Sequence, residues 1–442
     1  MRRALVLFTC DLRVRDNAAL AAAVAEREEV IPAFVIDERL MARRCGSPNR
    51  LAFLYESLRD LDGSLRARGA GLVVRRGDVV EQAIAIARRF RARAIYVSAD
   101  TSPYAQARRS RLARACDEER LELLAHGGPS ILEPGAATPA GGGHYRVFTP
   151  YWRAWRARGL PEAARTPRRI PAPAGLPALR LPASGGGGAS PELPRGGETA
   201  GRERLSRFLA SRLDSYAERH DDLPGDATSR LSPYLHFGCL PARAVLERSA
   251  RGPASEEFAR QLCWRDFHRQ VLADRPDMAA HDYRPRPGRW RHDPQALAAW
   301  REGLTGYPLV DAGMRQLARE GFMHNRARLI VASLLTKTLR IDWRHGAAHF
   351  AELLCDADVA NNAGNWQWVA GTGNDTRPNR VLNPLRQARR FDPRGDYVRR
   401  YVPELADLDG RAVHEPWRLR PAERRQLRYP PPIVDPDRWQ TR

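Results

Sequence analysis

Over its first 130 residues the chain alternates short apolar or β-branched runs with stretches of helical period. ALVLF (4–8), VIPAFVID (30–37), GLVVRR (71–76) and AIYVSAD (94–100) predict strands. Between the second and third runs Leu51, Leu54, Leu58, Leu61 and Leu65 recur three and four residues apart, a single apolar stripe that predicts a helix lying on a sheet. Strands joined through helices need crossover connections, so this pattern predicts a parallel, doubly wound α/β domain over 1–130. Its first strand runs into TCDLRVRDN, which has no glycine. A dinucleotide bound in the ordinary Rossmann manner is not expected there.

Between 161 and 200 the pattern dissolves into proline and glycine, including PAPAGLPALRLPASGGGGASPELPRGG. Such a stretch cannot bury enough surface to fold alone, and 131–200 reads as an interdomain connector. Beyond it the period is helical nearly throughout, as in RERLSRFLASRLDSYAERH and FMHNRARLIVASLLTKTLRI. In the latter, Val331, Leu335 and Leu339 fall four apart with Ile330 and Leu334 beside them, so 201–442 is expected to be an all-helical domain.

Composition narrows the class. The apolar run Ala4 to Phe8 is too short for a signal-peptide core, and no run approaches the length of a membrane span, so a cytoplasmic protein is expected. The six cysteines (Cys10, Cys45, Cys116, Cys239, Cys263, Cys355) show no CxxC and read as reduced thiols, with no metal site expected. HExxH, P-loop and GxGxxG motifs are absent. A net charge of +21 points to a polyanionic partner, nucleic acid first. Drift towards arginine explains why Lys337 is the single lysine, but not the excess of basic over acidic residues.

Three stretches could carry chemistry. In TSRLSPYLHFGCL (228–240), Thr228, Ser229, Ser232 and Arg230 precede a helix start and form either an anion cradle or an ordinary cap. In QLCWRDFHRQVL (261–272), Gln261, Trp264 and His268 share a helix face that could stack on and hydrogen-bond a base, or could be core. In NWQWVAGTGNDTRPNRVLNP (365–384), Trp366 and Trp368 fall in a polar, turn-rich setting, as site or as anchor.

Taken in order, DLRVRDN (11–17), TSRLSPYLHFG (228–238), WRDFHR (264–269), TGYPLVDAGMRQL (305–317), MHNRARL (323–329) and DADVANNAGNWQW (356–368) resemble the photolyase/cryptochrome flavoproteins from end to end. The resemblance is closest to the bacterial enzymes that split cyclobutane pyrimidine dimers. It implies a U-shaped FAD in the helical domain, whose reduced, light-excited ring passes an electron to a damaged pyrimidine pair in DNA. The family's cofactor contacts fall on Tyr216, Thr228, Ser229, Arg230, Leu231, Ser232, Arg265, Arg328, Asp356, Ala357, Asp358 and Asn362. Asp356 and Asp358 match the residues facing the ring and ribityl chain, Arg328 the carboxylate's partner, and Asn362 the amide beside flavin N5 that tunes its redox state.

Trp366, Trp343 and Trp290 match the tryptophan relay that reduces the flavin in light. Trp264 and Trp368 match the residues flanking a flipped-out lesion, with Gln261, His268, Asn325, Arg326 and Leu329 around it. Gln261 stands where cyclobutane-dimer enzymes usually carry glutamate and (6-4) photoproduct enzymes glutamine, but Asn325 and Leu329 stand where (6-4) enzymes carry histidines. Cyclobutane dimers are therefore the expected substrate, with (6-4) repair or cryptochrome signalling as alternatives. The short tail after Trp417 favours repair over signalling. A folate or deazaflavin antenna and a monomeric state are further implications. Two departures remain: LFT replaces the family's WFR before Asp11, and Ala227 its glycine before Thr228.

Overall fold

The computed structural model describes residues 2–42, 46–182, 187–252, 254–286, 288 and 290–439. Cys45 and the connector positions 183–186 lie outside the described residues. Five strands, β1 (Arg3–Phe8), β2 (Glu29–Asp37), β3 (Val73–Gly77), β4 (Ala92–Ser98) and β5 (Glu122–His126), form one parallel sheet in the order β3-β2-β1-β4-β5. In the register, Val6 of β1 lies opposite Pro32 of β2 and Tyr96 of β4. The first four strands are those the apolar runs predict. The fifth, ELLAH, is an edge strand with no fully buried residue, and its apolar run is only the three residues Leu123 to Ala125.

The helices α1 (Ala18–Glu26), α2 (Glu38–Ala42), α3 (Pro48–Arg66), α4 (Val79–Arg89) and α5 (Pro103–Glu118) make the crossovers. Leu58, Leu61 and Leu65 of α3 are fully buried, whereas Leu51 and Leu54 are half-buried. Then come α6 (Phe148–Ala157), α7 (Glu198–Ser211), α8 (Tyr216–Arg219), α9 (Ser232–His236), α10 (Ala242–Ser249) and α11 (Ser255–Asp274). The remainder are α12 (Pro294–Glu302), α13 (Pro308–Glu320), α14 (Asn325–Ser333), α15 (Trp343–Leu353), α16 (Val359–Ala370), α17 (Pro384–Phe391), α18 (Asp396–Tyr401) and α19 (Pro421–Gln426). No helix among the described residues is long and apolar enough to cross a membrane.

The proline-rich segment has little regular structure and is held by its neighbours. Val30 N–H donates to Pro171 O at 2.8 Å, Ile170 N–H to Arg68 O at 2.8 Å, and Tyr234 O–H to Arg195 O at 2.8 Å. Ile170 is fully buried in consequence.

Two elements depart from the sequence pattern. Trp366 and Trp368 lie inside α16, not in a turn. Asp358 caps that helix by accepting from Asn361 N–H, and the turn-rich stretch begins only at Gly371, whose φ of 82° ends it. The α14 stripe continues through a π-helical turn, Leu334–Thr338, which keeps Leu334, Leu335 and Leu339 buried while presenting Lys337. The Lys337 ammonium donates to Ala370 O at 2.7 Å and Pro378 O at 2.6 Å, closing the C-terminal end of α16.

Helix α11 ties the sheet to the helical half. Asp266, buried at its centre, accepts from Ile131 N–H, Leu132 N–H and Trp155 Nε1–H, each at 3.0 Å. Nearby, Leu12 N–H donates to Phe237 O at 3.1 Å, and a Cβ on Gly238 would stand 1.9 Å from Cys10 O. Only glycine tolerates both that approach and its φ of 66°.

Candidate functional site

Three helices and the loop between two of them line a cavity that opens to solvent, about 490 Å3 with its mouth included. Asn325, Arg328, Leu329 and Ala332 of α14, Phe350 of α15, Asp356 and Ala357 of the following loop, and Asn361, Asn362, Asn365, Trp366 and Val369 of α16 contribute to its wall. Seven of the residues expected at a site thus meet here: Asn325, Arg328, Leu329, Asp356, Ala357, Asn362 and Trp366.

The polar atoms of this wall are unevenly satisfied. Asp356 accepts from Arg328 at 2.8 Å through Oδ2, whereas its buried Oδ1 has no partner. The buried Trp366 Nε1–H is likewise unpaired, and Asn362 spends its Nδ2–H on Ala347 O at 3.0 Å. A buried acceptor and a buried donor without partners cost free energy, so they mark where a polar ligand would complete the site.

The two aspartates of DADVANNAGNWQW have separate environments. Asp358 does not line the cavity; its Oδ2 accepts from Arg269 at 2.6 Å and its Oδ1 from Asn361 N–H at 2.9 Å. Burial pushes its carboxyl up, but Arg269, then Arg265 and His236, outweigh burial and hold it below the usual carboxylate range. Arg269, buried, also lies 3.8 Å from Asp100 beyond β4, so it links the sheet to α16. Arg265 donates to the carbonyls of Pro129 and Leu235, and burial lowers its pKa to about 10.

The phosphate-type stretch lies next to this wall. Arg230 adopts φ of 51° and pairs with Asp226 at 2.8 Å and Glu320 at 2.7 Å. Its guanidinium carbon lies 4.8 Å from the Phe322 ring, which Arg328 approaches from the cavity at 5.3 Å. Arg230's charge is therefore already engaged, and what the stretch presents is Thr228 Oγ1, buried without a partner, and its backbone. Leu231 is buried, Ser232 begins α9, Ser229 Oγ accepts weakly from Leu231 N–H at 3.4 Å, and the buried Tyr216 packs on Phe258 at 5.2 Å.

Three residues expected at the lesion lie on α11. Trp264 stacks on Phe148 of α6, ring centroids 3.8 Å apart and planes 3° from parallel, while Gln261 donates to Glu257 at 3.2 Å. His268 is buried 5.6 Å from Trp264, and burial lowers its pKa to about 4, so it is neutral. Arg326 pairs with Asp221 and lies 4.5 Å from the Phe391 ring, and Trp368 is half-buried beside Arg380 at 5.5 Å. None of these five lines the cavity.

Residues 258–442 match the family described as the FAD binding domain of DNA photolyase, and residues 4–174 match DNA photolyase. A deoxyribodipyrimidine photo-lyase of Streptomyces griseus is 51% identical over 440 residues, 98% of this chain and 97% of its own. The chain belongs to the photolyase/cryptochrome family. Within the family, it superposes with a TM-score of 0.91 on a bacterial class III photolyase from Agrobacterium tumefaciens, 34% identical, over 98% of this chain and 95% of that one. An archaeal photolyase from Sulfolobus tokodaii, described with two FAD molecules and a novel light-harvesting cofactor, matches with a TM-score of 0.84 and 32% identity over 98% and 96% of the chains. The family's parallel sheet and helical half are those found here.

Arg269, Phe350, Asn361 and Asn365 are residues of the site or its support that the sequence reading did not single out. Asn361 and Asn365 sit four apart on the face of α16 that also carries Asn362, a spacing that could have been read. Arg269 shares a helix face with Arg265, but its partner Asp358 is 89 residues away, and nothing local signals that pairing.

Proposed function

We propose that the protein repairs ultraviolet-damaged DNA in light by splitting cyclobutane pyrimidine dimers, using FAD held in the helical half. The observation that carries this reading is the cavity wall of Asp356, Arg328, Asn362 and Trp366, whose unpaired Oδ1 and Nε1–H offer one acceptor and one donor to a polar ring. FAD held by these residues would, when reduced and excited by light, supply the electron that opens the pyrimidine pair.

The chain's own residues do the rest. Asp356 orients the ring through Oδ1 while Arg328 balances its charge, and Asn362 presents a non-titrating amide to it. Thr228 to Ser232, with Tyr216 behind them, hold the phosphate end through Thr228 Oγ1 and backbone N–H groups, while Arg265, Ala357 and Asp358 complete the surround. Trp366 is buried in the wall, Trp343 buried with Nε1–H on Asp282 at 2.8 Å, and Trp290 half-buried. Two buried tryptophans and a half-buried one support Trp290 as the surface end of an electron relay.

Trp264 offers the lesion the ring face that Phe148 leaves uncovered, and Trp368 stacks from the other side, with Gln261, His268, Asn325, Arg326 and Leu329 around the pair. Asn325, Arg326 and Leu329 favour cyclobutane over (6-4) lesions, and a neutral Gln261 still hydrogen-bonds a thymine edge. The charge of +21 grips the phosphate backbone. We further assign 1–130 as the antenna domain, 131–200 as the connector and 201–442 as the FAD and lesion domain of a cytoplasmic monomer. A second, antenna chromophore, if bound, would be a folate or a deazaflavin.

The test is a thymine-dimer oligonucleotide incubated with reduced protein under blue light and in darkness. Dimer loss in light alone is expected; loss of a (6-4) lesion with the dimer intact would reassign the substrate.

A further inference from the structure

Outside the cavity, Asp274 at the end of α11, His144 and Tyr283 form a continuous array. His144 Nδ1 lies 2.6 Å from Asp274 Oδ2, and its Nε2 lies 2.7 Å from the Tyr283 hydroxyl. A carboxylate can only accept at Nδ1, so that nitrogen carries the proton and Nε2 faces the phenol as a base. Tyr283 is buried and His144 nearly so, whereas Asp274 reaches solvent.

The array hangs on both inner elements of the tryptophan relay. Asp282, the residue before Tyr283, accepts from Trp343 Nε1–H at 2.8 Å. Tyr283 N–H itself donates to Gln367 Oε1 at 2.8 Å, and Gln367 follows Trp366 in α16. A through-bond path across the Asp282–Tyr283 peptide and one hydrogen bond therefore joins the phenol to Trp343.

We propose that Tyr283 is a redox-active tyrosine that re-reduces the oxidised relay, with His144 taking its proton. The inference rests on the light-driven relay proposed above, which supplies the oxidant, an oxidised Trp343. Trp343 gains one electron and returns to its neutral indole. Tyr283 loses that electron as its O–H proton moves to His144 Nε2, leaving a neutral phenoxyl radical and an imidazolium paired with Asp274. A thiol reductant in solution later returns the electron, and the proton goes back to the phenol oxygen.

The surroundings favour this coupled route. Arg275 and Arg284 stand 5.3 and 5.8 Å from the Tyr283 ring and oppose a cationic phenol, but not a neutral radical. Arg275 is moreover paired with Asp277 at 3.0 Å. The positive charge ends beside a carboxylate instead of on a buried ring, which avoids a large burial cost.

The experiment is light-induced electron paramagnetic resonance on flavin-loaded protein carrying ring-deuterated tyrosine, with flavin bleaching followed in parallel. Wild-type protein should give a neutral tyrosyl spectrum that narrows on deuteration. Tyr283→Phe and His144→Gln should each lower that signal at least tenfold while their flavin still bleaches. A bleached wild-type sample without a tyrosyl signal, or an undiminished signal in Tyr283→Phe, overturns the proposal. An undiminished signal in His144→Gln overturns the role of the base. A wild-type flavin that light does not bleach would instead overturn the relay, and this inference with it.

Discussion

Asp356 and Asp358 stand two residues apart and serve different neighbours. Asp356 faces the cavity with one oxygen on Arg328 and one unpaired, whereas Asp358 is consumed by Arg269 and the start of α16. Asp356→Asn keeps the shape, removes the charge and leaves Arg328 without its anion. It should weaken flavin retention by about 1–3 kcal/mol, roughly five- to 150-fold, read as the flavin-to-protein absorbance ratio after dialysis. His268 gives a pH signature. Burial lowers its pKa from the usual 6.5 to about 4, so the unfolded chain binds its proton first as pH falls. The stability it preserves is complete above about 6.5 and lost towards 4, a fall of about 3 kcal/mol from this residue alone. Denaturant midpoints across that window check it, and His268→Gln should flatten the slope. Both aspartates were legible in the sequence because a long motif carries them. Their division of labour was not, since it depends on Arg269, far away in the chain.

The α15–α16 pair shows what the helical elements are built to do. A Cβ on Gly346 would stand 2.1 Å from the Trp366 ring, so α15 carries glycine where that tryptophan crosses it. Trp366 is buried, with Phe350 4.9 Å and Trp300 6.0 Å from its ring. Gly346→Ala should therefore cost about 1–3 kcal/mol by overpacking and displace the ring. Flavin photoreduction should slow in that variant, measured by bleaching under constant light. The boundaries of α16 were open to a closer sequence reading, since Asp358 is a preferred cap and Gly371 a preferred terminator. Glycines and asparagines after Trp368 instead suggested turns through the whole stretch. Strands β1, β2 and β4 were legible because they are mostly buried apolar runs and the edge strand β3 because the apolar GLVV opens it, whereas the edge strand β5 has no fully buried residue and only Leu-Leu-Ala in its middle.

At the scale of the molecule, one helix joins chemistry to architecture. The WRDFHR stretch presents Trp264 and His268 to one side, while Arg265, Asp266 and Arg269 hold the sheet half and the chain just after it, through Asp100, Pro129, Ile131 and Leu132. Sequence alone gave two halves and a connector; that one motif clamps them together needed coordinates. The charge of +21 belongs to this scale too. Affinity for undamaged DNA should fall steeply and log-linearly with salt, by about 10³ between 50 and 200 mM if roughly six phosphates are covered, measured by fluorescence anisotropy. Lesion discrimination should survive the same salt range better, because stacking is not screened. Among 73 basic residues, finally, Lys337 alone is a lysine, wedged under two carbonyls at the end of α16, where burial lowers its pKa. An acylating reagent thus finds a single side-chain amine, half-buried, whose bonds to Ala370 O and Pro378 O must break before it reacts, so opening of the 371–378 turn should speed the reaction. The rate at which one mass increment appears would report the breathing of that turn, a clock already written into the chain.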